Sequence, residues 1–205
     1  MAEIIKDGRT GDTAKVDANN RLHTQSRTLD LAIAETLDGN AYNVFAMFMN
    51  MTTDTENAIL YLKNTGDADI VIDTIIIDTG PSTGGVTTGV GGVVGKLHFH
   101  TNPSAGTLID YEQNLVVVNK RIGNPVTLSA LAYGQNQGAT VAGQTLTGGV
   151  IVHVPHKADS RREYTQKFAI PKGQAFGISY KPPGSNTGMD LHLNMILLVD
   201  TTSGQ

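Results

Sequence analysis

The 205-residue sequence predicts an all-β fold: an antiparallel β-sandwich of jelly-roll type behind an extended N-terminal arm. Three observations point there. Met189–Val199 (MDLHLNMILLV) alternates apolar and polar residues with a period of two, the signature of a half-buried strand. Short apolar, β-branched runs recur at close intervals between Gly-, Asn- and Pro-rich turns. Charged residues make up only 17% and Gly numbers 23, which suits strands and tight turns better than helices. The expected division is an arm over residues 1–30, a sandwich over 31–200 and a short tail over 201–205.

The arm contains DGRTGDTAKVDANNRLHTQS (Asp7–Ser26), too polar to collapse alone. Val16, Leu22 and Leu29 are spaced anchors, with Arg9, Arg21 and Arg27 between them. Such a segment suits a strap laid along a partner, held by backbone hydrogen bonds and occasional side chains. The residues expected to bind are Arg9, Val16, Asn20, Arg21, Leu22 and Arg27. Next, Thr28–Asp38 places Leu29, Ile33 and Leu37 at i, i+4 and i+8, a short helix or a strand. Tyr42–Met51 is mostly apolar and reads as a strand buried on both faces. Ala58–Asn64 follows, then the turn NTGDAD and the β-branched run Asp69–Asp78. Gly80–Gly92 is a Gly/Thr loop. Val93–His100, Asn114–Lys120 and Val126–Tyr133 are further strands, the last with a short helix as alternative. A second polar loop spans Gly134–Gly149. Val150–His156, Glu163–Ile170 and Gln174–Pro182 precede the final strand. The total is eight to ten strands, which is a sandwich.

Chemistry is sparse. His98 and His100 (HFH) sit at i and i+2 of one strand, point the same way and could grip one metal ion. Cupins follow such a pair within a few residues by Glu and later place a His beyond a Pro-x-Gly turn. Here the first acidic residue after His100 is Asp110, and Phe176 stands beyond Pro171–Gly173. His153 and His156 are possible replacements, but the ligand set reads as incomplete. No metal, cofactor or catalytic residue is therefore expected, and the histidines read as half-exposed surface or subunit-contact groups. Gly89–Lys96 imitates a phosphate loop but lacks its Lys-Ser/Thr ending and a following helix. NTGDAD is dense in oxygen ligands yet reads as a plain turn.

Composition bounds the function further. There is no Cys and no apolar run long enough to span a bilayer. The N-terminus lacks the apolar stretch of a secretion signal, so the expectation is a chain made in a cytoplasm and bound to no membrane. Net charge is −4, with the basic residues gathered at Lys157, Arg161, Arg162, Lys167, Lys172 and Lys181. A nucleic-acid footprint needs a stronger basic excess, so none is expected. A sugar platform favours exposed aromatics, and aromatics are 5% with no Trp.

The arm, ENAILYLKNTGDADIVIDTIIID (Glu56–Asp78), and the late TLTGG and IPKGQAFGISYKPPGSNTGMDLHLNMILLV segments together resemble a family of tailed-bacteriophage virion structural proteins. The resemblance implies a polar arm followed by a β-sandwich and no catalytic residues. It implies a place in the virion, as a capsid decoration protein or as a tail or fibre-junction component. The implied partners are the major capsid protein or tail components and sister copies of the chain, with a trimer favoured. A carbohydrate-binding module is the alternative from another class.

Overall fold

The computed structural model describes residues 15–16, 22–23, 31–51, 54–81, 94–104, 115–134, 146–158, 160–184 and 189–200. The chain divides into two units, Met1–Leu31 and Ala32–Gln205. In the first, β1 (Lys15–Val16) pairs antiparallel with β2 (Leu22–His23), and the register sets Val16 opposite Leu22. Two of the expected arm anchors are thus paired with each other. Arg9, Asn20, Arg21 and Arg27 lie outside the described residues, as do Leu29 and the tail over 201–205.

Of the two readings of Thr28–Asp38, the helix forms: α1 spans Leu31–Asp38. Its end is a Schellman motif. Gly39 takes φ +82°, its N–H donates to Thr36 O at 3.2 Å, and the N–H of Asn40 donates to Glu35 O at 2.7 Å. Only Gly adopts that φ without cost, so the helix stops there. Two of the apolar residues whose spacing suggested it stay outside: Ile33 is 53% and Leu37 58% exposed.

Two antiparallel sheets pack face to face. The first has the order β10–β5–β13–β3–β7, built from β3 (Ala41–Met51), β5 (Asp69–Pro81), β7 (Leu115–Asn119), β10 (Ser160–Tyr164) and β13 (Met189–Asp200). β11 (Phe168–Ile170) also pairs with β5. The second has the order β8–β4–β12–β6–β9, built from β4 (Asn57–Asn64), β6 (Val94–Thr101), β8 (Ala130–Gly134), β9 (Val150–Lys157) and β12 (Ala175–Lys181). The segment Glu163–Ile170, read as one strand, is thus split into β10 and β11. Val126–Tyr133 is extended only from Ala130.

The core lies between the sheets. Met189, Leu191, Leu193, Met195 and Leu197 all face it, as their alternation requires. On β5 the core residues change parity, from Ile70 and Ile72 to Ile75 and Ile77. The cause is a register shift against β13 between Ile196 and Leu197, which inserts one residue and re-aims those beyond it. The expectation that β3 is buried on both faces is corrected. Val44, Ala46 and Phe48 are fully buried, but Phe45 is 40% exposed, because nothing described covers the outer face of this sheet at that point.

His156 is wholly buried yet balanced in hydrogen bonds. Thr79 Oγ1 donates to a backbone carbonyl, Lys157 O at 3.2 Å or Ser160 O at 3.4 Å, so it accepts from His156 Nε2 at 3.1 Å. Nδ1 then accepts from the Tyr164 hydroxyl at 2.7 Å. One ring proton serves the neutral imidazole. Burial, chiefly, holds its pKa below the ordinary 6.5, with Arg162 adding to the effect and the Ser160 backbone and Asp78 opposing it. The unfolded chain therefore takes up a proton near pH 6.5 while the folded chain resists. Stability from this group is complete above pH 6.5 and falls as pH drops from there through the lower folded value. Melting temperature is expected to decline in that window, and His156→Gln to flatten the decline. An unchanged slope in the variant would refute the assignment.

Candidate functional site

The one described constellation with site-like chemistry lies on the outer face of the second sheet. Alternation along β6 sends Leu97 and Phe99 into the core and His98 and His100 to the other side. Cross-strand register sets His98 between Ser179 of β12 and His153 of β9. Glu56, at the entry to β4, leans over the same spot.

The contacts are close. His98 Nδ1 lies 2.8 Å from Glu56 Oε1, and His98 Nε2 lies 2.7 Å from His153 Nδ1. His100 Nε2 lies 2.7 Å from Ser179 Oγ, and Ser179 Oγ donates to Glu56 Oε1 at 2.5 Å. His100 Nδ1 points to the carbonyl of Gly148 at 3.2 Å. Burial deepens inward: the Glu56 side chain is 38% exposed, that of His98 15% and that of His100 4%. Burial pushes the Glu56 carboxyl up, but hydrogen bonds from Ser179 and His98, with attraction to the His98 and His100 rings, outweigh it and set it below the ordinary 4.5.

Two expectations are corrected by this geometry. His98 and His100 are not half-exposed surface groups, since Glu56, Ser179, His153 and the Gly148 carbonyl close over them. Their carboxylate partner exists, but it precedes them in the chain by 42 positions at His98, where a search downstream of His100 could not meet it. The cupin pattern itself fails on the face: Phe176 is a core residue, 2% exposed, and the His pair points away from the sandwich interior. His156 does not join the cluster; it lies with Tyr164 and Tyr180 on the core side.

NTGDAD is a turn organised by Asn64, whose Oδ1 accepts from Gly66 N at 2.9 Å and whose Nδ2 donates to Ala68 O and Ile170 O, both at 2.8 Å. The basic cluster is partly neutralised. Lys167 pairs with Asp73 at 3.0 Å, Lys181 with Asp54 at 2.8 Å, and Lys172 with Asp67. Arg162 stacks over the ring of Tyr164 at 5.1 Å. Among the described residues no helix is long and apolar enough to cross a membrane.

A second surface feature lies where β3 and β7 meet. Phe45, Val118, Ile122 and Val126 are exposed apolar side chains on these strands and on the connection that follows β7; Ile122 is entirely in solvent. No family model, no curated protein and no solved structure matches the chain.

Proposed function

We propose that the chain is a non-enzymatic structural subunit of a tailed-phage virion, a decoration protein that binds the capsid shell and its own sister copies. Its sandwich is of jelly-roll type in this reading. The observation that carries the proposal is the strand order. Let β3, β4, β5, β6, β9, the broken β10–β11 strand, β12 and β13 be strands one to eight. The sheets then run 1-8-3-6 and 2-7-4-5, with β7 and β8 added at the edges. We read that interleaving as two Greek keys folded together, an architecture that recurs in viral shells and also in lectins and cupins. Three further facts favour the shell among these. The sequence resembles virion proteins, the polar N-terminal segment forms a unit of its own, and apolar side chains are exposed along the β3–β7 edge. A tail or fibre-junction position is the second placement on the same evidence.

Deleting residues 1–27 tests the reading. The sandwich is expected to stay folded, because its described core begins at Ala41. The truncated chain is expected to bind stripped particles, or its sister subunits, much more weakly. Each lost backbone hydrogen bond is worth about 0.5–1.5 kcal/mol net, and symmetric copies multiply the loss. The measurement is co-sedimentation of full-length and truncated chain with particles, with circular dichroism and light scattering of each. Undiminished binding and oligomerisation by a folded truncated chain would refute the role of the arm. Failure of the full-length chain to bind particles would refute the decoration reading itself.

A further inference from the structure

We infer that Glu56, His98 and His100 form a binding site for one divalent first-row transition cation, with Zn²⁺ the best-suited ion. The first support is a count of hydrogens. Five contacts hold the cluster: His98 to Glu56, His98 to His153, His100 to Ser179, Ser179 to Glu56, and His100 to the carbonyl of Gly148. Each needs one hydrogen between its atoms. Three neutral imidazoles and one hydroxyl supply at most four. The deficit falls at His100. Ser179 gives its only proton to Glu56, so His100 would have to donate from both ring nitrogens. The same count closes without deficit at His156, so the shortage is particular to this cluster. Beside a carboxylate, one additional positive charge resolves it.

A cation among Glu56 Oε1, His98 Nδ1 and His100 Nε2 removes the conflict. It replaces the hydrogen between His98 Nδ1 and Glu56 Oε1, its binding to His100 Nε2 takes the place of that atom's contact with Ser179 Oγ, and the three remaining contacts each have their hydrogen. His98 Nε2–H donates to His153 Nδ1, His100 Nδ1–H donates to Gly148 O, and Ser179 keeps its proton for Glu56. Metal-bound histidines commonly make this second bond, the far ring N–H donating outward and so fixing the tautomer. Here both rings have such an acceptor in place.

The spacing fits. Zn²⁺ binds imidazole nitrogen and carboxylate oxygen at about 2.0–2.2 Å, so tetrahedral ligand atoms stand roughly 3.3 Å apart. Glu56 Oε1 lies 2.8 Å from His98 Nδ1 and 3.9 Å from His100 Nε2, values that bracket this spacing. All three donor atoms lie within 4.8 Å of one another, and small side-chain rotations close the widest pair. Two imidazoles with one carboxylate favour Zn²⁺ and its transition-metal neighbours over Ca²⁺ or Mg²⁺, which take oxygen ligands. The ion would tie Glu56, ahead of β4, to β6 across the intervening β12.

The test uses the full chain without an affinity tag, stripped with chelator and shown folded by circular dichroism. Calorimetric titration with Zn²⁺ is expected to give one ion per chain and a raised melting temperature that chelator reverses. Co²⁺ is expected to develop the intense visible bands of a four- or five-coordinate site. His153→Ala removes only the outer acceptor and is expected to weaken Zn²⁺ binding about 10–100-fold. Glu56→Gln and His98→Ala are expected to abolish it, whereas His192→Ala, on the other sheet, leaves it intact. The inference is overturned if the folded wild-type chain takes up no stoichiometric Zn²⁺, or if Co²⁺ keeps its aqueous spectrum. Uptake undiminished in Glu56→Gln and His98→Ala would overturn it equally. Should those two variants fail to fold, the wild-type titration and His153→Ala decide.

Discussion

Replacing Leu193 by Asp is expected to unfold the chain. Leu193 is fully buried on β13, the central strand of the first sheet, opposite Ala46 of β3 and Ile77 of β5. Both flanking residues are themselves fully buried. The substitution forfeits the burial of a leucine, about 1.5–3 kcal/mol, and places a carboxylate in the apolar core cluster. The sum reaches about 4–5 kcal/mol or more, close to the whole stability of a marginal domain. His192→Asp is the control. His192 is exposed on the opposite face, and its neighbour on β5 is Asp78. Like charges there cost up to about 1 kcal/mol, no more. Chemical denaturation of the two variants distinguishes them, and equal midpoints would mean that the faces of β13 are wrongly assigned.

Gly95→Ala is expected to cost about 3 kcal/mol, the upper end of ordinary overpacking. A Cβ at Gly95 would stand 2.4 Å from the hydroxyl oxygen of Tyr180 and 2.6 and 2.8 Å from two of its ring carbons. The ring cannot retreat, because Tyr180 is fully buried and packs edge-on against His156 at 5.8 Å. Tyr180→Phe alone is expected to be nearly neutral, since among the described residues no group makes a well-formed hydrogen bond to its hydroxyl, Thr79 being at most a weak partner. In the double variant the nearest clashing atom is gone but the ring carbons remain, so part of the loss returns. A double-mutant cycle on melting data measures that coupling. Strict additivity would show that the side chain at position 95 does not meet Tyr180.

Gly95 is also a fair measure of what a sequence conceals. In the strand VVGKLHFH it reads as a weak position, and nothing local says that a tyrosine 85 positions later requires it to be bare. Glu56 is a stronger case. It precedes a strand in a polar turn, and its residue type carries no signal of a partner. Only the placement of β12 between β4 and β6 brings it to His98 and His100. The histidine pair itself was legible, because spacing of two on a strand fixes a common face. Which face was not legible: the same spacing serves a cupin interior and this exterior.

The sequence by itself determined the class and most of the strands. Alternation is a property of neighbouring residues, and along Met189–Val199 it names the buried side without reference to any partner. The sequence left Thr28–Asp38 open between a short helix and a strand, and did not show that Ile33 and Leu37 would face solvent, since a periodic stripe shows a face and not what covers it. Tertiary structure decided the rest. Sheet order, register and the shift beside Asp73 depend on which strand lies alongside, and one inserted residue reverses every face beyond it. The Glu56–His98–His100 cluster depends on the order and register of the second sheet together. Contacts between distant residues are set by how the chain closes its loops to bury one core, and that choice is made by the whole chain together.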